Sequence, residues 1–196
     1  TNERAYNHEY LGLPVGLGTN IFDMLEIRTI TDEEIQSYQS IYQGQDFGWW
    51  PDPKAFIRAA YVANKEKIVL LDELGGCKIR NSDMARMIQE KGYDYALMCG
   101  VDEKESIVDL RDAGIPARSA IVTPGSRKYT YEWLQCRTIV IDPARTPRAY
   151  KEIIEYEHEI DSNGEVIADY PDGNDHWIDA LRYSISPMAM RRGHSA

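Results

Sequence analysis

Apolar and polar positions change period several times along the chain, and each change marks an element. Thr31-Asp32-Glu33-Glu34 has the form of a helix start, with Thr31 as cap and Glu34 as its box partner, and predicts a short helix to about Gln39. Residues 40–46 alternate and run into Phe47-Gly48, which predicts a strand entering a turn that Pro51, Asp52 and Pro53 extend. Residues 55–63 and 67–74 predict two further strands, the second closed by Gly75-Gly76. Residues 81–90 place Met84, Met87 and Ile88 at helical spacing, with Gly92 as a stop. The compact apolar run 95–101 predicts a buried central strand. A helix over 105–112, a strand over 117–122, a helix over 129–135 and a strand over 138–141 follow. Residues 150–160 and 165–170 flank Ser162-Asn163-Gly164, where Asn-Gly signals a β-hairpin, and 176–188 predicts a closing helix.

The first three strands are spaced as an antiparallel meander and the later ones alternate with helices, so the sheet should be mixed. The order predicts an α/β fold: a ribonuclease H-like (retroviral integrase-like) mixed sheet flanked by helices, plus the hairpin. Residues 1–35 read differently. GLPVGLG at 12–18 is an irregular Gly/Pro-rich arm, and it lacks the GKS or GKT ending of a phosphate-binding P-loop. The division expected is an arm over 1–35 and the folded domain over 36–196.

Charge narrows the function. Among 196 residues, 22 Lys and Arg face 32 Asp and Glu, a net charge of -10, which excludes wrapping of nucleic acid by bulk positive charge. Any polyanion contact needs bound metal or a local basic patch, for which Arg127, Lys128, Arg145, Arg148, Arg191 and Arg192 are candidates; their plainer reading is a solvated face. Cys77, Cys99 and Cys136 form neither a disulfide framework nor a CxxC pair, which points to a reducing, cytoplasmic compartment. No apolar run is long enough to span a membrane, and no signal segment opens the chain.

Three carboxylates stand out by position. Asp46 ends the first strand of the meander, Asp102 follows the strand over 95–101, and Asp179 lies in the closing helix, three residues after His176 and on the same face. If the two strands are neighbours, Asp46 and Asp102 emerge side by side and a helix across that edge delivers His176 and Asp179. Two carboxylates about 4 Å apart cost roughly 4 kcal/mol at an effective dielectric near 20, a cost that a divalent cation removes. Oxygen donors favour Mg²⁺ or Mn²⁺, the imidazole tilts the balance toward Mn²⁺, and a pair of such ions can hydrolyse a phosphodiester. Taken singly, each aspartate reads as a turn residue and His176 as a packed or surface histidine. Asp52, Asp172 and Asp175 read as turn or cap residues. Met84, Met87 and Ile88 read as core, and Trp133 with the 138–143 segment as packing.

Tyr42-Gln43-Gly44-Gln45-Asp46-Phe47-Gly48-Trp49 with Asp52-Pro53, then Val101-Asp102-Glu103-Lys104-Glu105, then Asn174-Asp175-His176-Trp177-Ile178-Asp179-Ala180-Leu181-Arg182-Tyr183 resemble the three acidic motifs of the nuclease domain of phage terminase large subunits. The last is the most specific. His8-Glu9-Tyr10-Leu11-Gly12-Leu13-Pro14 resembles that family's join between its ATPase and nuclease domains. The resemblance implies a divalent-metal-dependent DNA endonuclease that cuts concatemeric double-stranded DNA during viral genome packaging, with Mn²⁺ or Mg²⁺, two ions, as cofactor. It implies Asp46, Asp102 and Asp179 as acidic metal ligands, His176 as a further catalytic and metal residue, Arg127 and Lys128 as DNA contacts, and residues 156–170 as a hairpin beside the site. It also implies, as partners, double-stranded DNA, the terminase small subunit, the portal protein and procapsid, and the ATPase domain of the same chain, with no membrane and a place in the host cytoplasm. One departure is the loop 122–128, which lacks the family's Gly-rich stretch, and no Walker motif is present, so these residues are not the motor. Two other readings remain open: a ribonuclease H-like nuclease of resolvase or transposase type, and a catalytically silent module docking on portal or small subunit.

Overall fold

A computed structural model describes residues 19–167 and 169–192. Their order is β1 (Leu25–Ile27), α1 (Asp32–Ser37), β2 (Ile41–Asp46), β3 (Lys54–Val62), β4 (Lys67–Gly76), α2 (Asn81–Glu90), β5 (Leu97–Cys99), α3 (Lys104–Asp112), β6 (Ala117–Ser119), α4 (Ser126–Gln135), β7 (Thr138–Ile141), α5 (Pro147–Glu155) and α6 (His176–Arg192). One seven-stranded sheet runs β1-β7-β4-β3-β2-β5-β6. β2, β3 and β4 form the expected antiparallel meander, and the remaining strands join in parallel pairs, so the sheet is mixed.

Helices cover both faces. β3 is apolar almost throughout because it is buried on both sides, as a central strand must be. On one face Ala55, Ile57, Ile68 and Leu70 pack with Tyr131, Ile153, Leu181 and Ile185 from α4, α5 and α6. On the other, Phe56, Leu97 and Cys99 pack with Met84 and Ile88 of α2 and with Ile107 and Leu110 of α3, and a smaller cluster centres on Ile30, Val69 and Val140. Met84 and Ile88 are thus core as their spacing predicts, with Met87 partly buried beside them. Thr31 caps α1 by accepting the Glu34 N–H, but the Glu34 carboxylate pairs with Arg28 instead of reaching back to complete the box.

Four features differ from expectation. Residues 19–27 lie in the fold: Ile21 and Phe22 are buried, and β1 pairs with β7 through Leu25↔Ile139. Such a short strand carries no alternation to read. The segment expected as the hairpin's first arm is mostly helix α5, whose Arg148 and Ala149 N–H groups are capped by the Glu73 carboxylate from distant β4. The hairpin itself survives in a shorter form: Ile160 pairs with Val166, and Asp161 and Ile167 N–H donate across it. β5 is shorter than its apolar run because Gln43 Nε2 occupies the Tyr95 carbonyl at 2.7 Å, and β6 ends where the Ile121 N–H turns to Ser186 Oγ at 3.0 Å.

The closing helix lies nearer the sheet than side chains normally allow. A Cβ at Gly44 would stand 1.9 Å from the Ala180 carbonyl oxygen and 2.7 Å from the Ser184 nitrogen, so helix backbone rests on strand backbone there. Gly44→Ala should therefore force α6 off β2 and cost about 3 kcal/mol, a melting point lower by about 10 °C. Urea unfolding and thermal melting check this. A variant as stable as the parent would show that α6 is not seated at Gly44.

Candidate functional site

β2 and β5 are parallel neighbours with Gln45 opposite Cys99, and the Gly100 N–H donates to the Gln45 carbonyl at 3.1 Å. Asp46 and the loop carrying Asp102 therefore leave the sheet at the same end. α6 crosses that end with its first turn. Its start is fixed by Glu152 of α5, whose Oε2 accepts the Trp177 and Ile178 N–H groups at 2.7 and 3.2 Å. Farther along the helix, the Tyr183 ring lies 3.2 Å from where a Cβ on Gly100, just after β5, would be, a tight fit against α6.

His176 Nδ1 lies 3.2 Å from Asp46 Oδ2, and its Nε2 lies 3.6 Å from Asp52 Oδ1. One turn on, Asp179 receives a two-point contact from Arg182, at 2.9 and 2.7 Å, and the Tyr131 hydroxyl at 3.1 Å. Asp175, whose carbonyl accepts the Asp179 N–H, turns its carboxylate to Arg127 at 2.8 Å and to Tyr131 at 3.3 Å. Burial raises the Asp46 carboxyl above its ordinary range against the His176 hydrogen bond, and the Asp179 and Asp175 charges push the same way. The Asp46 hydrogen bond raises the His176 imidazole, against burial. Burial pushes Glu152 up to about 8, against the two N–H groups it accepts. Burial, then the Asp179 and Asp175 charges, keep Tyr131 a neutral phenol.

The structure thus brings Asp46 and His176 into contact and sets Asp179 on the same helix face. Asp102 is exposed in the loop after β5. Among the described residues no three His, Cys, Asp or Glu side chains gather closely enough to hold a metal ion. The Asp179 oxygens are instead turned to Arg182, and Asp102 faces solvent. The donor chemistry nonetheless suits a hard divalent cation. Asp46, Asp179 and His176 supply oxygens and one imidazole, the Asp102 loop leaves the same sheet end, and the half-buried Asp46 has only a titratable imidazole as counter-charge. Arg127 is engaged with Asp172 and Asp175, joining α4 to the segment before α6, whereas Lys128 is exposed. Asp175 sits at the cap position expected, but its buried side chain serves the Arg127 and Tyr131 contacts. Residues 8–14 and the side chains of Arg191 and Arg192 lie outside the described part.

Glu152, Tyr131 and Arg182 also belong to the site, beyond the residues expected there. Arg182 was legible as the residue three after Asp179 on one helix face. Glu152 and Tyr131 act across large sequence distances, and no local pattern marks them.

A folded state that raises the His176 pKa gains stability that is complete below pH 6.5, the unfolded value, and is lost as pH rises through the folded value. In metal-free protein the His176 ring protons should therefore titrate with a midpoint above 6.5, and Asp46→Asn should bring that midpoint down. Proton NMR over pH reads both. A midpoint indifferent to Asp46→Asn would mean the pair does not form.

Comparison with known proteins gives this geometry a family. Residues 46–187 match the model of the terminase RNase H-like domain. The chain is 37% identical to the large terminase subunit of Bacillus phage SPP1 over 98% of its own length. It spans 47% of that relative, about half. Among solved structures, the SPP1 large terminase nuclease domain with bound Mn superposes with a TM-score of 0.81 at 34% identity, covering 85% of this chain and 97% of that one. The phage P22 large terminase nuclease domain shares the fold with a TM-score of 0.63 at 17% identity, over 88% of this chain and 92% of that one. With its mixed sheet, its flanking helices and the acidic segments at one sheet end, the chain belongs to the terminase RNase H-like domain family, the nuclease domains of phage terminase large subunits.

Proposed function

We propose that the chain is a divalent-metal-dependent endonuclease that cuts double-stranded DNA during viral genome packaging. The observation that carries this is the start of α6 at the end of β2, which sets His176 against Asp46 with Asp179 three residues on along the same helix. The Mn in the SPP1 nuclease-domain structure supports the same reading. On this reading Asp46, Asp102 and Asp179 hold Mn²⁺ or Mg²⁺, as two ions, and His176 adds a nitrogen donor or orients a water. Held by these residues, the metal would activate the attacking water and stabilise the negative charge that develops on the leaving oxygen. The chain's own residues do the placing: Glu152 holds the first turn of α6, and Arg182 with Tyr131 holds the Asp179 carboxylate until a cation takes its oxygens. The ATPase domain of a longer chain, the small subunit and the portal are the partners this function requires. Lys128 is the exposed candidate for a phosphate contact.

Asp46→Asn, Asp102→Asn and Asp179→Asn should each abolish Mn²⁺-dependent nicking of a supercoiled plasmid while the fold, read by circular dichroism, persists. Asp46→Asn should melt no lower than the parent in metal-free buffer, since it removes a half-buried charge. His176→Ala should weaken Mn²⁺ affinity more than it weakens folding. Nicking retained by two of the three Asn variants would sink the triad. A parent chain that binds Mn²⁺ yet never nicks would favour a silent docking module. Binding to duplex DNA in Ca²⁺ should be weak and depend only shallowly on salt, because a chain of net charge -10 neutralises few phosphates. Tight binding at physiological salt with a clear preference for a packaging-site duplex would place recognition in these residues instead.

A further inference from the structure

Trp49 and Trp50 are the two most exposed large apolar side chains among the described residues, at 52% and 65%. They cap the loop between β2 and β3. Both stems of that loop touch the candidate site, since Asp46 and Asp52 each face His176, at 3.2 and 3.6 Å. The loop is also braced from outside. The Lys78 N–H donates to the Trp49 carbonyl at 2.8 Å, and Cys77 Sγ meets the Pro51 carbonyl at 3.3 Å. At its base a Cβ on Gly48 would lie 2.3 Å from the Pro53 carbonyl oxygen, so the turn is closed backbone on backbone. Two indoles are thus held out to solvent on a fixed mount beside the carboxylates. The Lys78 ammonium stands 4.9 Å from the Trp50 ring centroid.

We infer that Trp49 and Trp50 form a stacking platform for an unstacked nucleobase of the DNA substrate next to the cutting site, an inference that rests on the nuclease reading above. The ligand class follows from the parts. A flat aromatic face beside one ammonium suits a base with its adjoining phosphate. An intact duplex hides its base faces, so the base must come from a single-stranded, frayed or kinked segment. Stacking also supplies attraction that does not depend on net charge. That matters for an acidic chain, in which Arg127 is already committed to Asp172 and Asp175. A protein partner would meet the same indoles without needing the His176-pinned stems or the ammonium.

The test titrates a short single-stranded oligonucleotide against the 196-residue chain in Ca²⁺ at two salt concentrations, read by anisotropy and by indole fluorescence. The double variant Trp49→Ala/Trp50→Ala should bind about tenfold more weakly, with the slope of log affinity against log salt unchanged. Trp50→Phe should keep part of the affinity, and Lys78→Ala should reduce the slope instead. Affinity of the double variant within about twofold of the parent would overturn the platform, as would a loss matched by a shallower salt slope. Plasmid nicking by the parent in Mn²⁺ is scored separately. If the parent does not nick, the nuclease reading falls while the titration still decides the platform. If it nicks and the double variant binds as the parent does, the platform alone falls.

Discussion

At Gly44 helix α6 rests on β2 with no side chain between them, and the other relations at the site follow from that contact. The absence of a Cβ at Gly44 lets the Ala180 carbonyl and the Ser184 amide approach the strand directly. A helix so close cannot slide without backbone collision, because packed interiors do not deform continuously. Its first turn is therefore fixed relative to the end of the strand on which it rests. Asp46 is at the end of that strand and His176 at the start of that helix. Their 3.2 Å separation is thus set by backbone contacts made about one and about two helical turns away, before any side-chain preference enters. Just after β5, at Gly100, the Tyr183 ring of the same helix makes a looser version of this approach, 3.2 Å from where a Cβ would stand.

Around this anchor the charged groups form an ordered set of substitutes for a cation. Asp46 meets an imidazole, Asp179 a guanidinium and a phenol, and Asp175 a second guanidinium. Each pairing lowers the cost of bringing carboxylates together in a half-buried place, as charges out of water require. The pairings are not equivalent. Arg182 and Arg127 stay charged at any pH in the working range, whereas the His176 charge is conditional on pH and is the one a metal replaces directly on the proposed reading. Glu152 stands apart from the set. It meets backbone N–H groups, so it orients the helix and leaves the helix face free.

Legibility in the sequence followed sequence distance. The meander and the strands and helices after it could be read from local periodicity, whereas the exit of Asp46 and the Asp102 loop at one sheet end hung on the adjacency of β2 and β5, which the sequence left as a condition and the pairing supplies. β1 could not, because its three residues take their place from pairing with β7, more than a hundred positions later. α5 is an instructive miss. Ala149 and Ile153 carry the four-residue spacing of a helix and are both buried. The Asn-Gly signal beyond drew the whole segment into a hairpin, while the cap that starts the helix, Glu73, sits on another strand. Tyr131 and Glu152 were invisible for the same reason. Their partners are separated from them by 48 and 25 positions, and neither side chain differs in kind from many others in the chain.

The acidity of the chain and its proposed substrate look opposed, and the local arrangement reconciles them. A net charge of -10 repels a polyanion at distances up to about a Debye length, near 10 Å at moderate salt. Inside that distance the balance depends on the nearest groups. Most of the arginines that could offset the repulsion near the site are spent on internal carboxylates, which leaves bound cations as the main local positive charge. On the proposed reading, electrostatic attraction to DNA is then strongest where the carboxylates have captured metal. The groups that make the free protein acidic are also the groups that create its one strongly positive point. Binding and cutting competence would then arise together, and delivery of DNA to that point would fall to other parts of the packaging machine, whose grip need not rely on this surface.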